Sequence, residues 1–287
     1  MTLAFSKYQG TGNDFIIIDN RSKGIILTTE QVANLCNRKF GIGADGLMLL
    51  QEKQGYDFEM IYYNSDGKVG SMCGNGGRCL TQFAFDCGIK KDKYKFIASD
   101  GEHESFFAEN NWIHLKMKNV NEIVDCSGDY ILNTGSPHYV KSVSDVAAIN
   151  VFKEGREIRY SKEFEQEGIN VNFVEQTDED NIYVRTYERG VEDETLSCGT
   201  GVTASALIFY HNEVGFNRVE VTTLGGNLAV EFDKKGEQSY INTVFICLFY
   251  KVYINTKFFK VFAVSYFTTF CNNINIIYTC NRFYIMR

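Results

Sequence analysis

The chain has 287 residues, of which 44% are hydrophobic, so it can bury a real core as one large domain or two of ordinary size. Its formal net charge is -7, and no Lys/Arg cluster forms a basic stripe. Nucleic acid is therefore not expected as a partner, because phosphate binding needs a basic surface. The first residues lack the basic and apolar segments of a signal peptide, so we expect a cytoplasmic protein without a membrane partner.

The cysteines and histidines do not follow the pattern of a disulfide framework or of a zinc site. An odd count of cysteines without an export signal indicates reduced thiols. There is no C-x-x-C pair, and no histidine lies at ligand spacing from a cysteine, so no metal is expected. The nine cysteines and four histidines are Cys36, Cys73, Cys79, Cys87, Cys126, Cys198, Cys247, Cys271, Cys280, His103, His114, His138 and His211.

Short apolar runs with strand character recur along the chain, while helical patterns are few. The predicted strands are 15–18, 47–50, 58–63, 112–117, 169–174, 182–187, 219–223 and 228–232. Thr29 is the expected N-cap of a helix over 30–38. Two more helices are predicted over 77–87 and 202–210, after glycine-rich turns. These elements indicate an α/β fold with extensive sheets and few helices.

An internal repeat divides the chain into two similar parts. Cys73-Gly74-Asn75-Gly76 and Cys198-Gly199-Thr200-Gly201 each precede a helix, and their cysteines lie 125 residues apart. A weaker pair, 11–13 and 134–136, lies upstream of them at similar distances. We interpret the repeat as a duplicated half-domain and predict three segments: 1–118, 119–240 and an atypical tail, 241–287.

A cysteine that precedes Gly-x-Gly and a helix has its sulfur beside the first helical turn. Free N–H groups and the helix dipole stabilise an anion there. The thiol pKa should therefore move from about 8.5 toward neutrality, and the same N–H groups can hold a carboxylate. One such turn is equally consistent with a buried structural thiol, but two copies favour paired groups.

Two matched thiols suit the inversion of a stereocentre. One base removes a proton from one face of a carbon, one acid delivers a proton to the other face, and the roles exchange in the reverse direction. Two helix N-termini aimed at one carboxylate would stabilise the carbanion of an amino acid. This chemistry needs neither a metal nor pyridoxal phosphate, so Cys73 and Cys198 are the predicted catalytic pair and no cofactor is expected.

The motifs together make the sequence resemble the diaminopimelate epimerase family, from about Leu3 to Phe232. The matching stretches are K-Y-Q-G-T-G-N-D-F at 7–15, G-I-G-A-D-G at 41–46, Y-N-S-D-G at 63–67, C-G-N-G-G-R-C at 73–79, G-S-P-H at 135–138, N-V-N-F at 170–173, Y-E-R-G at 187–190 and E-T-L-S-C-G-T-G at 194–201. Several motifs in the right order are far more specific than one C-G-x-G turn.

The resemblance implies a reaction, a fold and an assembly. The reaction is epimerisation of LL-2,6-diaminopimelate to its meso form in lysine biosynthesis, without pyridoxal phosphate. The fold is two pseudo-symmetric α/β halves, each a curved, mostly antiparallel sheet around a central helix, with the active site in the cleft between them. A homodimer and a small amino-acid substrate are the expected partners.

The resemblance also implies the residues of the site. Cys73 and Cys198 are the acid/base pair, and His138 could orient a cysteine or be a structural imidazole. Glu188 and Arg189 would bind the charged amines and carboxylates of the substrate, or else form an ordinary surface ion pair. The residues implied to contact substrate are Asn13, Asn64, Gly74, Asn75, Asn170, Glu188, Arg189, Gly199 and Thr200.

Three positions depart from the family pattern. Ser136 stands where many members have an asparagine that touches substrate, and Gly46 stands where some have a glutamine. The turn between Arg189 and Cys198 is one residue longer than in some relatives. A slight shift in substrate geometry is the expected consequence.

The tail differs from the rest of the chain. Residues 241–287 include 13 Phe or Tyr, and no Asp, Glu, Gly or Pro follows Glu237. The strand pair that closes the family fold is not evident here, so we expect an open edge on the first-half sheet. A frameshifted C-terminus is our hypothesis. A membrane anchor is its rival, although the charge-free run 261–281 contains too many Asn and Thr for a good transmembrane helix.

Three alternative functions are consistent with part of the pattern. Proline or hydroxyproline racemases share the two-cysteine acid/base mechanism. They usually have histidine in the first C-G-x-G turn, where this chain has Asn75. Isomerases of the phenazine-biosynthesis type share the fold but do not use the cysteine pair. A catalytically silent protein that binds an amino acid between its two halves is the alternative from another class.

Overall fold

The computed structural model describes residues 3–70, 72–108, 112–211 and 214–234, together with the backbone of 241–248 and 253–254. These ranges contain seventeen strands, four α-helices and a short 3-10 helix, Val146–Ala148. The strands are β1 Ser6–Gly10, β2 Asn13–Asp19, β3 Gly46–Gln51, β4 Phe58–Asn64, β5 Lys93–Ala98, β6 Gly101–Phe107, β7 Ile113–Lys116, β8 Ile123–Cys126, β9 Asp129–Asn133, β10 Pro137–Ser142, β11 Asn170–Asp178, β12 Asn181–Glu188, β13 Asp193–Thr195, β14 Gly215–Thr223, β15 Gly226–Lys234, β16 Ile241–Leu248 and β17 Tyr253–Ile254. The helices are α1 Thr29–Cys36, α2 Gly74–Asp86, α3 Val151–Arg159 and α4 Gly199–Ala206.

The same pattern of strand pairing occurs twice. In residues 3–118, the first half, β1–β2, β3–β4, β5–β6 and β6–β7 are antiparallel, while β2–β3 and β4–β5 are parallel. In residues 119–234, the second half, β9–β10, β11–β12 and β14–β15 are antiparallel, while β10–β11 and β12–β14 are parallel. The predicted duplication therefore has a structural counterpart, and the predicted α/β class is confirmed.

A helix covers each face of each half-sheet. The central helices α2 and α4 pack on the inner faces and share one apolar cluster that draws residues from both halves. On the outer faces, Val32 and Leu35 of α1 pack near Ile16 and Leu47, and Val151 of α3 lies in a separate cluster. Burial on both faces explains why strands such as β3 are continuous apolar runs.

The N-terminus of α1 has a reciprocal cap, one residue earlier than the sequence predicts. The cap is Thr28, not Thr29: its Oγ1 accepts from Gln31 N at 3.2 Å, and Thr28 N donates to Gln31 Oε1 at 2.9 Å. This is a capping box, which satisfies two backbone N–H donors at once.

Thr28→Ala is expected to lower the free energy of unfolding by about 1 kcal/mol, because the first turn of α1 loses its side-chain acceptor. Urea unfolding measures the change. Thr29→Ala is the matched control and should have a smaller effect, since Thr29 does not cap the helix. A larger loss for Thr29→Ala than for Thr28→Ala would contradict the assignment of the cap.

The central helices begin earlier than predicted. α2 begins at Gly74 rather than at residue 77, and α4 begins at Gly199 rather than at residue 202 and ends at Ala206. The glycines of each C-G-x-G motif are therefore the first helical turn and not a loop before it. Both helices are buried, and their hydroxyl groups are satisfied internally: Thr81 donates to Gly77 O at 2.9 Å, and Thr203 donates to Gly199 O at 2.9 Å.

Every predicted strand overlaps an observed strand, although 112–117 extends one residue beyond each end of β7 and 169–174 begins one residue before β11. Other elements were not predicted. Helix α3 has nine residues, of which Val151 and Gly155 are buried, and apolar periodicity over so short a run is a weak signal. The strands that the prediction omits are β1, β5, β6, β8, β9, β10, β13, β16 and β17. In strands such as β5, only alternate residues are buried, so no continuous apolar run marks them.

Strands β16 and β17 close the sheets, and the prediction of an open first-half edge is wrong. β16 pairs with β15 of the second half and with β7 of the first half, both antiparallel. β17 pairs with β1 in the first half, as β8 pairs with β9 in the second. The first residues of the unusual tail therefore form the closing strands.

The membrane hypothesis concerns residues that the structure does not describe. In the described ranges, no helix is long and apolar enough to cross a membrane. The run 261–281 lies outside them, and so does the rest of the tail beyond Ile254.

Candidate active site

The N-termini of α2 and α4 meet in the cleft between the two halves. A Cβ added to Gly74 would lie 3.8 Å from Gly199 Cα, so the first turns of the two helices almost touch. Cys73 and Cys198 are the N-cap residues, each with extended backbone angles. This arrangement places both thiols and two positive helix ends around one space.

That space is a cavity of about 270 Å³, which suits a small ligand with polar groups. The structure brings eleven of the twelve predicted site residues together there. They are Asn13, Asn64, Cys73, Gly74, Asn75, Asn170, Glu188, Arg189, Cys198, Gly199 and Thr200. The twelfth, His138, does not line the cavity.

The thiols differ from the prediction of near-neutral pKa values. Burial raises the pKa of Cys73, and backbone N–H groups of Gly76 and Asn75 only partly oppose it. Burial likewise raises the pKa of Cys198 to about 12, with the Glu188 charge adding to it. The side chain of Thr200, whose Oγ1 lies 3.4 Å from Cys198 Sγ, acts in the other direction and lowers the pKa of Cys198. The sequence indicates the helix ends, but desolvation of the enclosed sulfurs has the larger effect.

Asn75 links the two halves and orients Asn13. Its Nδ2 donates to Asn13 Oδ1 at 2.6 Å and to Ser197 O of the second half at 3.3 Å. The buried Arg78 donates to Asn75 Oδ1. Asn13 Nδ2 in turn donates to Asp45 Oδ2 at 3.2 Å. These bonds fix both amide planes before any ligand arrives.

Asn170 and Arg189 are held together by Ser136 on the second-half wall. Asn170 Nδ2 donates to Ser136 Oγ at 2.9 Å and to Pro137 O at 3.0 Å, while its Oδ1 accepts from Arg189 N at 2.9 Å. Arg189 Nη1 donates to Glu167 O at 2.8 Å. Among the described residues, no carboxylate forms an ion pair with Arg189, and its guanidinium is therefore available to an anion in the cavity.

Glu188 places a carboxyl group in the same enclosed space. Burial raises its pKa, and the negative charge of Asp45 raises it further. A cation bound beside Glu188 would favour the carboxylate, because opposite charges stabilise each other strongly in a desolvated site. The cavity therefore has an acidic group, Glu188, and a basic group, Arg189, in its lining.

His138 lies behind the cavity, completely buried. Its Nδ1 is 3.1 Å from Asn172 Nδ2, and its Nε2 has no hydrogen-bond partner in the described part of the chain. Burial lowers the pKa of His138 to about 3, and the charge of Arg189 lowers it further. The ring is thus a neutral imidazole, and the orienting role toward a cysteine stays a prediction.

Sequence reasoning missed several cavity residues. They are Tyr62, Met72, Gly135 and Ser197, although Gly135 lies in a recognised motif. Ser136, which the sequence analysis places at a substrate-contact position of the family, also lines the cavity. Ser197 and Met72 directly precede the two cysteines, so their adjacency was an available signal. Tyr62 had no signal of its own, because its orientation depends on the alternation of side chains along β4.

A second cavity of about 400 Å³ adjoins the first and shares Met72, Gly135 and Thr200 with it. Charged side chains from β6, such as Glu102 and Glu104, line its far wall. Neither cysteine lines it. No group of three His, Cys, Asp or Glu side chains in the described ranges could hold a metal ion.

Known protein structures share this architecture. A phenazine biosynthesis protein of the PhzF family from Bacillus anthracis covers 88% of this chain and 97% of its own, with a TM-score of 0.63 at 15% identity. A hydroxyproline epimerase from Agrobacterium vitis covers 87% of this chain and 89% of its own, with a TM-score of 0.58 at 13% identity. At such low identities these structures establish the two-sheet fold alone.

Curated relatives and a family model carry the assignment further. A diaminopimelate epimerase from Flavobacterium psychrophilum is 49% identical over 242 residues, which is 84% of this chain and 94% of the relative. One from Chlorobaculum tepidum is 42% identical over 241 residues, 81% of this chain and 94% of the relative. The diaminopimelate epimerase family model matches residues 5–121 and 130–245. With both C-G-x-G helix starts lining one cleft, these matches show that the chain belongs to the diaminopimelate epimerase family and is an isomerase.

Proposed function

We propose that the chain epimerises LL-2,6-diaminopimelate to meso-diaminopimelate, with Cys73 and Cys198 as the acid/base pair. The observation that carries the proposal is the meeting of two cysteine-capped helix N-termini at one cavity, with Gly74 and Gly199 in close approach. The family supplies the substrate, and the cavity supplies groups for both its signs of charge, at Glu188 and Arg189.

In the proposed reaction, one cysteine thiolate removes the α-proton from one face of the substrate. The electron pair left on Cα is delocalised into the adjacent carboxylate. The thiol of the other cysteine then protonates the opposite face, which inverts the centre and leaves that sulfur as thiolate. The reverse reaction uses the same groups in exchanged roles, so two matched thiols serve both directions.

The raised thiol pKa values set a requirement on this mechanism. Both sulfurs favour the neutral form in the enclosed site, so forming one thiolate has a cost. A substrate ammonium next to Glu188 would offset the negative charge that raises both pKa values. The N–H groups of the first helical turns would stabilise the thiolate further. Binding of the cationic amine would in this way help to generate the base.

Carboxylate binding follows from the helix ends. The first turns of α2 and α4, at Gly74–Asn75 and Gly199–Thr200, present backbone N–H groups without helical partners. A carboxylate between them would be held by two positive helix ends where negative charge develops. The remaining charged end of the substrate would meet Arg189, Asn64 and Asn13 along the cavity wall.

The proposal includes a place in lysine biosynthesis, which follows from the substrate. We further propose that the reaction proceeds without pyridoxal phosphate, as the two-thiol chemistry suffices. The homodimer stays a prediction, which sedimentation equilibrium of the purified protein would test. Two sedimenting species with a concentration-dependent ratio, or a dimer alone, would agree with it; a monomer at every concentration would not.

The deciding experiment is incubation with LL-diaminopimelate in D2O, without pyridoxal phosphate or added metal. Deuterium at Cα together with meso product is the expected result, measured by chiral separation and mass spectrometry. L-proline and trans-4-hydroxy-L-proline serve as parallel substrates. Exchange with either of these, and none with diaminopimelate, would replace the proposal by the proline-racemase alternative.

A further inference from the structure

Tyr62 is a cavity residue to which neither the family motifs nor the mechanism gives a role. It lies on β4, its side chain is partly buried, and it lines the cavity that contains both catalytic cysteines. Its backbone O accepts from Gly70 N at 2.9 Å. Its hydroxyl, however, makes no hydrogen bond with any residue in the described ranges. An unpaired phenol at the wall of a polar cavity is available to a ligand.

Two glycines admit the ring of Tyr62. A Cβ on Gly46 would lie 2.5 Å from Tyr62 Cε2 and 2.9 Å from its hydroxyl oxygen. A Cβ on Gly70 would lie 2.8 Å from both Cδ1 and Cε1. Phe15 meets the same ring edge to face, with centroids 6.2 Å apart. The ring occupies the space that side chains at positions 46 and 70 would fill, so its position is fixed by its neighbours.

The surroundings of the hydroxyl indicate which ligand group it would meet. Burial raises the pKa of Tyr62, and the charges of Cys73, Asp45 and Glu188 raise it further. The phenol therefore stays neutral near pH 7, with an oxygen that can accept a hydrogen bond. Since the ionisable groups acting on it are all acidic, a cation is favoured beside it over an anion.

We propose that the Tyr62 hydroxyl is a further substrate-binding group, which accepts a hydrogen bond from a substrate ammonium beside Glu188. The inference rests on the proposed function, because that function supplies a substrate with ammonium groups. Gly46 and Gly70 then serve as the positions that admit the ring, since a side chain at either would displace it. Tyr62 and Glu188, which both line the cavity, would then bind the ammonium together.

Tyr62→Phe is the direct test, because it keeps the ring between Gly46, Gly70 and Phe15 and removes only the hydroxyl oxygen. We expect KM for LL-diaminopimelate to rise about tenfold while kcat stays within about twofold, as for the loss of one hydrogen bond to a charged group made equally in ground and transition states. Tyr63→Phe is the matched control. Its ring packs in the outer cluster with α1 and not in the cavity, so its KM should not change.

Two analogues separate an ammonium contact from a carboxylate contact. L-2-aminopimelate lacks one amine and pimelate lacks both, and each is measured as a competitive inhibitor of the unsubstituted protein and of Tyr62→Phe. We expect the variant to bind pimelate as the unsubstituted protein does. If Tyr62→Phe binds L-2-aminopimelate more weakly than the unsubstituted protein does, Tyr62 contacts the ammonium at the reacting carbon. If both proteins bind it equally well, Tyr62 contacts the distal ammonium. Equal weakening for pimelate and LL-diaminopimelate would overturn the inference.

The proposed function and this inference can fail separately. If the unsubstituted protein exchanges the α-proton of LL-diaminopimelate and Tyr62→Phe leaves KM unchanged, the inference alone is wrong. If the unsubstituted, folded protein shows no exchange, the proposed function is wrong and the inference fails with it. Thermal unfolding of Tyr62→Phe checks that any loss of affinity is not a loss of folded protein.

Discussion

Replacing Cys73 or Cys198 with serine should lower the rate of epimerisation by about a thousandfold, as for loss of an essential general acid or base. A serine hydroxyl is a much weaker acid than a thiol, so neither variant can both remove and deliver a proton at physiological pH. The two variants should be affected to a similar extent, because the sulfurs exchange roles between the two directions. Chiral chromatography of the product in both directions measures the loss.

The control for these variants is Cys87→Ser. Cys87 is the C-cap of α2, at the opposite end of the helix from Cys73, and it does not line the cavity. It should keep full turnover. Substrate affinity, measured by calorimetry, should survive in both active-site variants. Turnover retained in either of them would exclude the two-thiol mechanism, and affinity without turnover in the unsubstituted protein would favour the silent binding protein.

Ile246→Pro should remove about 3 kcal/mol or more from the free energy of unfolding. Ile246 is paired with Val230 of β15 on one side and with Leu115 of β7 on the other. Proline at a position inside a sheet removes a ladder hydrogen bond and fits poorly away from an edge. Because β16 joins the two halves, we expect the damage to spread to both.

Urea unfolding of Ile246→Pro against Ile246→Val measures this effect. Valine keeps the β-branched side chain and the backbone N–H, so it should change stability by less than about 1.5 kcal/mol. A proline variant as stable as the valine variant would mean that β16 is not part of the sheet. It would then restore the expectation of an open edge at β7.

The sequence predicted those parts of the fold in which local pattern and tertiary environment agree. The run Leu47–Leu50 is buried on both faces, and its apolar character alone marks β3. Helix α3 has only nine residues, too few for its apolar spacing to stand out. The strand Ile241–Leu248 was not predicted for a different reason: the apolar and aromatic composition continues through the whole tail, so no contrast marks the strand.

The sequence motifs predicted most residues of the site, but not the protonation of the thiols or the role of Tyr62. Both cysteines and nine binding residues lie at the cavity, because the glycine-rich turns fix where each helix begins. The protonation of the thiols could not be read in the same way, since burial is a property of the folded cleft. Tyr62 shows the same limit, because its place depends on the absence of side chains at Gly46 and Gly70.

The position of the closing strands β16 and β17, after both halves in the sequence, has a consequence for how the chain acquires its fold. β17 pairs Lys7 with Ile254, and β16 pairs Leu115 with Ile246. Two strands of the first half therefore pair with strands that are synthesised much later. During synthesis, the N-terminal half cannot complete its sheet on the ribosome while these late segments are still missing. Contacts of such high sequence separation slow folding. Until β16 and β17 are made, one edge of β7 and one edge of β1 are unpaired, and exposed strand edges promote aggregation.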